Sequence, residues 1–249
     1  MTGTYSTWLV LLSIIVAMFV SHTALSLSSR VARAKADSAA ALWLGGGALA
    51  MGCGIWSMHF IGMLAFSLPI PLSYDVPITL ASLVIAIAIS GFALSVASNP
   101  QISLGHLSAS AVLMGIGISA MHYSGMAAIN IQPMVTYDWH LLLASVGIAI
   151  AASFAALWLF FQLRHGNSLS MRLARVGAAL VMGLAISGMH YTGMAASQFS
   201  ADSFCLSGAS VDTHWLAIAT GVVAFVVLSV TTVLLITDPR NDSRAERAS

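Results

Sequence analysis

The sequence predicts an all-α integral membrane protein with seven transmembrane helices, built from three two-helix repeats plus a final helix. Three observations carry that reading: a composition too apolar for water, seven long apolar runs, and a charge pattern that seven crossings explain. Of the 249 residues, 59% are hydrophobic and only 7% are charged, against about 25% charged in a soluble domain. This excludes a water-soluble globule, a disordered chain, and a nucleic-acid binder that works through a basic surface. The net charge of +1 implies no bulk attraction to an acidic partner.

A spanning helix needs about 20 mostly apolar residues. Runs of that kind lie at about 8–28, 42–67, 77–98, 104–129, 139–163, 173–197 and 214–237. Backbone groups in lipid must be satisfied within the protein, which leaves helices or closed barrels. Runs this long without period-two polarity exclude the barrel. The first run has no basic segment before it and is long enough to span, so it reads as a helix and not as a cleaved signal.

The loops set the orientation. Arg30, Arg33 and Lys35 follow the first run, Arg164, Arg172 and Arg175 the fifth, and Arg240, Arg244 and Arg247 the seventh. In a seven-span chain all of them fall on one side. The other side carries Asp75, Asp138, Asp202 and Asp212 and no Lys or Arg. The positive-inside rule makes the basic side cytoplasmic, with the N-terminus outside and the C-terminus inside. Cys53 lies in an apolar run and Cys205 in a polar loop. Two cysteines cannot hold an iron–sulfur cluster or a four-cysteine zinc site, and a disulfide between these two is not expected.

A thirteen-residue segment occurs three times without gaps. It reads M-G-C-G-I-W-S-M-H-F-I-G-M from Met51, M-G-I-G-I-S-A-M-H-Y-S-G-M from Met114, and M-G-L-A-I-S-G-M-H-Y-T-G-M from Met182. A weaker element opens the odd-numbered spans: Y-S-T-W-L-V-L-L-S from Tyr5, Y-D-V-P-I-T-L-A-S from Tyr74 and Y-D-W-H-L-L-L-A-S from Tyr137, with a degenerate copy from Asp212. The unit is thus an odd span going in and an even span coming out. Spans two, four and six run the same way, so their motifs lie at one depth toward the outer leaflet. His59 precedes the end of its apolar run near Ser67 by eight residues, or roughly 12 Å at 1.5 Å per residue.

The motif has metal-binding chemistry. Residues four apart share a helix face, which pairs His59 with Met63, His122 with Met126 and His190 with Met194. Met58, Met121 and Met189 flank the histidines about 100° round the helix, and Met51, Met114 and Met182 lie on nearly the same stripe as these. Imidazole and thioether without thiolate or carboxylate suit copper, especially Cu(I); zinc more often recruits Cys or carboxylate. Haem through His or Met ligation is the lesser alternative, because it needs a large pocket. Ionisable residues inside a membrane are functional candidates by default, with helix–helix hydrogen bonding and a proton or ion path as the competing roles. Gly62, Gly125 and Gly193, with Gly52, Gly115 and Gly183, are small residues of the kind that let membrane helices approach. They are expected to bring the three histidine helices together round one axis, and Gly45, Gly46 and Gly47 add to this on the second span.

Other polar residues rank lower. His140 and His214 start odd spans at the outer surface, where outer-shell ligation is an option. Asp75, Asp138 and Asp212 either orient the cluster and attract a cation or cap the helices that follow. His22, His106 and His165 lie toward the cytoplasmic side. Trp8, Tyr74, Tyr137, Trp139 and Trp215 read as interfacial belt residues.

Three M-H-[FY]-x-G-M copies on alternate spans resemble the MHYT domain family of bacterial integral membrane sensors. The third copy is literally Met189-His190-Tyr191-Thr192; the second has Ser124, and the first has Phe60 and Ile61. The resemblance covers residues 5–237. It implies copper held by the motif His and Met residues and sensing of a diatomic gas: oxygen, carbon monoxide or nitric oxide. It also implies a cytoplasmic output domain, often GGDEF and EAL domains that make and degrade cyclic di-GMP, supplied in cis or by a partner in trans. The expected domain is then 1–237, in the bacterial inner membrane, followed by a polar tail or linker at 238–249. The remaining partners are the lipid bilayer and a second copy in a homodimer. No nucleophile–base pair or phosphate loop is readable, so no enzymatic activity is expected of this chain. Copper transport or delivery is the alternative function.

Overall fold

A computed structural model describes residues 1–34, 40–99, 101–163, 169–206 and 210–236. Seven helices follow in order: α1 Thr7–Ala34, α2 Ala40–Leu64, α3 Val76–Ala97, α4 Leu104–Ala127, α5 Trp139–Leu163, α6 Leu169–Ala196 and α7 Thr213–Ile236. Each is long and apolar enough to cross a membrane, and the chain is a multi-pass membrane protein.

The first six helices close into a ring. Each packs on the next, and α6 packs back on α1. The seventh lies outside the ring, mainly against α2. The sequence explains why α1 and not α7 closes the circle. The serines ending the three opening elements, Ser13, Ser82 and Ser145, are all fully buried. Two turns on, Ser21, Ser90 and Ser153 are buried as well. At the corresponding places α7 has Ala219 and Val227. At Ala219 it therefore lacks the hydroxyl with which Ser13, Ser82 and Ser145 meet Tyr191, Trp56 and Tyr123 of the even helices.

Short strand pairs, which the all-helical expectation did not include, tie the connections at the end where the odd helices begin. β1 Thr4–Tyr5 pairs with β2 Phe66–Ser67, and β3 Ser73–Asp75 with β8 Ser210–Asp212. β4 Ile131–Gln132 pairs with β7 Phe204–Cys205, and β5 Thr136–Tyr137 with β6 Ser197–Gln198. One bond recurs in each repeat: the amide of Ser6, Asp75 or Asp138 donates to the carbonyl of Ala65, Ala128 or Ala196, at 2.8, 2.7 and 2.8 Å. Each of those carbonyls ends an even helix that leaves orphan acceptors, so the odd helix of each repeat is anchored at its start to the place where its own even partner stops.

Several expectations change at this end. Trp8, Trp139 and Trp215 are exposed, as belt residues should be. Tyr74 is only 2% exposed and does not belong to a belt, because its ring meets the motif aromatic Phe60 edge-on at 6.1 Å. Burial pushes its phenol well above the usual value. Tyr5 meets Tyr191 and Tyr137 meets Tyr123 in the same way. Asp75, Asp138 and Asp212 cap helices: their carboxylates accept from the amides of Ile78, Leu141 and Trp215 at 2.8, 3.0 and 2.9 Å. Cys53 and Cys205 are both free, and Cys205 instead lies 3.2 Å from the Ser73 hydroxyl.

The opposite end carries Arg30, Arg33, Arg172 and Arg175. Arg175 donates from Nε and Nη2 to the Leu163 carbonyl at 3.0 and 2.8 Å, a cation placed on the C-terminus of α5 as the helix dipole favours. Arg30 stands over the Trp43 ring at 5.1 Å. Lys35, Arg164, His165 and the tail at 238–249, with Arg240, Arg244 and Arg247, lie outside the described residues.

Candidate functional site

The three motif histidines meet on the ring axis. His59 ends its helix by five residues and His122 likewise, while His190 stands six from the end of α6. The helices stop sooner than their apolar runs suggest, so the histidines lie about 7.5–9 Å from the helix ends. The Nδ1 of His59 is 3.1 Å from that of His190 and 3.2 Å from that of His122. Their rings stand edge to face, with centroids 4.9–5.2 Å apart. All three side chains are at most 1% exposed.

The glycine three residues after each histidine makes this possible, in a way that spacing alone does not reveal. It seats the imidazole of a different helix. The His59 ring lies against Gly125, His122 against Gly193 and His190 against Gly62. A Cβ at any of these glycines would run into the Nε2 of that ring. The contacts therefore close a cycle, α2 on α4 on α6 on α2. Gly52, Gly115 and Gly183 do something else. They do not face the axis but admit Ile87 of α3, Ile150 of α5 and Met18 of α1, whose backbones would stand 2.5–2.7 Å from an added Cβ. They hold each even helix to an odd one: ten residues, or about 80° round the helix, separate them from the glycines that seat the imidazoles. Gly45 and Gly46 face open space, and only Gly47 meets a neighbour, Leu94.

No arrangement of protons satisfies the triad. Each neutral imidazole carries one N–H. If it sits on Nδ1 of His59, it is shared with the other two rings, whose own protons then sit on Nε2. Yet the Nε2 atoms of His59, His122 and His190 are all buried without a hydrogen-bond partner. Buried polar groups are almost always paired, and an orphan costs about 1–3 kcal/mol. It is the three Nδ1 atoms that converge, with no competing carboxylate, and they suit a cation; the Nε2 atoms, which lie against glycines of the neighbouring helices, would then carry the ring protons. Metal–nitrogen bonds of about 2.0–2.1 Å are compatible with the observed nitrogen separations. Among the described residues these histidines are the one group of three His, Cys or acidic side chains placed to hold a metal ion.

The methionines divide into layers. Met63, Met126 and Met194, one turn toward the strand-bearing end, are buried. Met58, Met121 and Met189 are buried too, and Met58 lies in an apolar cluster with Val16, Ala17 and Val20 of α1. Met51, Met114 and Met182 line a central cavity two turns toward the basic end. His140 and His214 are exposed at the starts of α5 and α7 and stand apart from the triad. His22 is half-buried on α1, and His106 bonds Ser103.

A second polar ring went unrecognised in the sequence, although the opening elements end on it. The Tyr123 hydroxyl lies 2.6 Å from Ser145 and that of Tyr191 2.7 Å from Ser13. Copy one has Phe60 there, and its serine, Ser82, receives the indole N–H of Trp56 at 3.1 Å. Trp56 occupies the position of Ser119 and Ser187, so tryptophan and phenylalanine replace serine and tyrosine together. Ile61 also has a reason. It is buried in a cluster with Ala224 of α7, whereas Ser124 and Thr192 are half-buried.

These features coincide with a known pattern. The MHYT family, described as "Bacterial signalling protein N terminal repeat", matches residues 52–110, 115–172 and 183–248. The chain belongs to the MHYT family. Each match opens on a motif glycine, Gly52, Gly115 or Gly183, and so within an even helix. Three relatives share this region. MucR of Pseudomonas aeruginosa, a bifunctional diguanylate cyclase/cyclic di-GMP phosphodiesterase, is 50% identical over 97% of this chain and 35% of its own length. NbdA of the same organism, a cyclic di-GMP phosphodiesterase, is 41% identical over 89% of this chain and 28% of its own. The signaling protein YkoW of Bacillus subtilis is 39% identical over 80% of this chain and 25% of its own. The chain thus spans about a third or less of the curated relatives it matches. No solved structure matches it.

Proposed function

We propose that this MHYT chain is a membrane sensor domain whose His59, His122 and His190 hold a copper ion on the axis of the helix ring. The observation that carries the reading is the convergence of three buried imidazoles that cannot satisfy one another's hydrogen bonds. Met63, Met126 and Met194 supply soft thioethers on the adjoining turn, a donor set that favours copper over zinc. When bound, such a metal offers a reducible centre that coordinates a diatomic gas such as oxygen, nitric oxide or carbon monoxide. The protein's own share is positional. The glycines fix the imidazoles, the apolar surroundings exclude water, and the anchored helix ends hold the three copies at one level.

The arginine-bearing end would face the cytoplasm of the bacterial inner membrane by the positive-inside rule. That puts the triad near the outer face and the C-terminal helix on course to a cytoplasmic output. By likeness to the named relatives, that output governs cyclic di-GMP turnover, outside these seven helices. Elemental analysis and absorption spectra of the purified protein, with and without each gas, test the reading. Copper is expected in the wild type and lost when His59, His122 and His190 are all changed to Asn. Unchanged copper in that variant, or no copper in the wild type, would overturn it.

The methionine layer of the central cavity favours a second reading, copper transport or delivery, because soft donors recur on the axis below the triad. Copper uptake into sealed vesicles containing the protein would select it.

A further inference from the structure

The central cavity carries an inference separate from the metal. It has a volume of about 60 Å³, well above the roughly 10–15 Å³ that one water-sized sphere needs. All six helices of the ring contribute to its lining. The even helices contribute Met51, Met114 and Met182, and the odd helices Ala24, Ala93 and Ala156. These alanines occupy equivalent places in the three repeats. The void is therefore a product of the repeat: three short side chains face the axis at one level, and the methionines do not fill the space between them.

The chemistry of the wall decides what fits. The cavity presents almost no polar surface. Ser21 and Ser153 are the hydroxyl-bearing residues of its lining; the Ser21 hydroxyl is engaged with the Ala17 carbonyl of its own helix at 2.8 Å, which leaves the unpartnered Ser153 hydroxyl as the one polar group a water could use. Water needs two to four polar partners to stay in a cavity, and apolar cavities remain dry and admit apolar gases. Ile55, Ile118 and Ile186 form the layer between the cavity and the histidines, each one turn below its own histidine. The space thus stands directly under the triad, separated from it by one layer of side chains.

We infer that this cavity is a docking site for a small apolar gas, of the size of a diatomic molecule. As a route for a ligand to the triad, it rests on the metal reading above; as a gas site, it stands without it. Xenon is the probe. Crystals or detergent-solubilised full-length protein under xenon pressure should show a bound atom on the axis, by anomalous scattering or by the chemical shift of ¹²⁹Xe. Ala156→Leu and, independently, Ala24→Leu should fill the void and remove that signal while circular dichroism stays helical. A folded wild type without bound xenon would overturn the inference, as would xenon binding that survives both filled variants. Displacement of xenon by Cu(I) in a triad-less variant would also overturn it, by making the methionine layer a metal site. Xenon in the cavity of a protein that carries no copper would leave the inference standing and remove the metal reading. Copper without xenon would do the reverse.

Discussion

Two levels of the same axis receive three side chains each and end differently. At the histidine layer the groups close to within hydrogen-bond distance of one another. Eight residues earlier, about 12 Å along the helices, the methionines Met51, Met114 and Met182 surround a cavity. Symmetry is the same at both levels, so symmetry does not decide the outcome. What decides it is the residue each side chain meets. The imidazoles meet glycines, which let the next helix come up against them. The methionines share their level with alanines, which leave space unfilled.

The sharpest way to break this contrast is to fill the seat of an imidazole. Gly125→Ala places a methyl on the His59 ring. Overpacking of this kind costs about 1–3 kcal/mol, and copper content should fall with it. Gly188, with nothing near its Cβ position, is the matched control, where alanine should be neutral or stabilising by up to about 1 kcal/mol. Thermal unfolding in detergent measures both, and equal effects at the two sites would remove the seating argument.

Smaller effects belong to the hydroxyl ring. Tyr123→Phe leaves Ser145 its bond to the Leu142 carbonyl and should cost about 1 kcal/mol. In copy one, Trp56→Ser and Phe60→Tyr together rebuild the pattern of the other two copies. A thermal-unfolding double-mutant cycle should show the pair less destabilising than the sum of its parts; strict additivity would mean that the two positions do not act as a unit. Smallest of all is Met114→Leu at the cavity, a volume-conserving change expected to cost less than about 1.5 kcal/mol and to leave copper content unchanged.

The seven spans and the histidine level were legible in the sequence because both rest on strong, local signals. Apolar length marks a span, and His59, His122 and His190 sit in gapless copies. The partners across helices were not legible. Whether Gly62 serves its own histidine or that of another helix depends on the order of the ring. Apolar spans of similar length allow several orders. The caps at Asp75, Asp138 and Asp212 were readable as one of two roles, and the hydrogen bonds select it. The burial of Tyr74 was hidden because a tyrosine at a span start serves a belt and a motif contact equally well until the strand pairing turns it inward. The departures of copy one, Trp56, Phe60 and Ile61, have no visible cause in the sequence. They acquire causes only once α3 and α7 are in place beside them.

A ring of three like copies has no front or back of its own. The seventh helix supplies one: it rests chiefly on α2, and α2 carries the copy whose side chains differ. A change at the histidine level would thus reach the seventh helix chiefly through the copy whose motif is least typical.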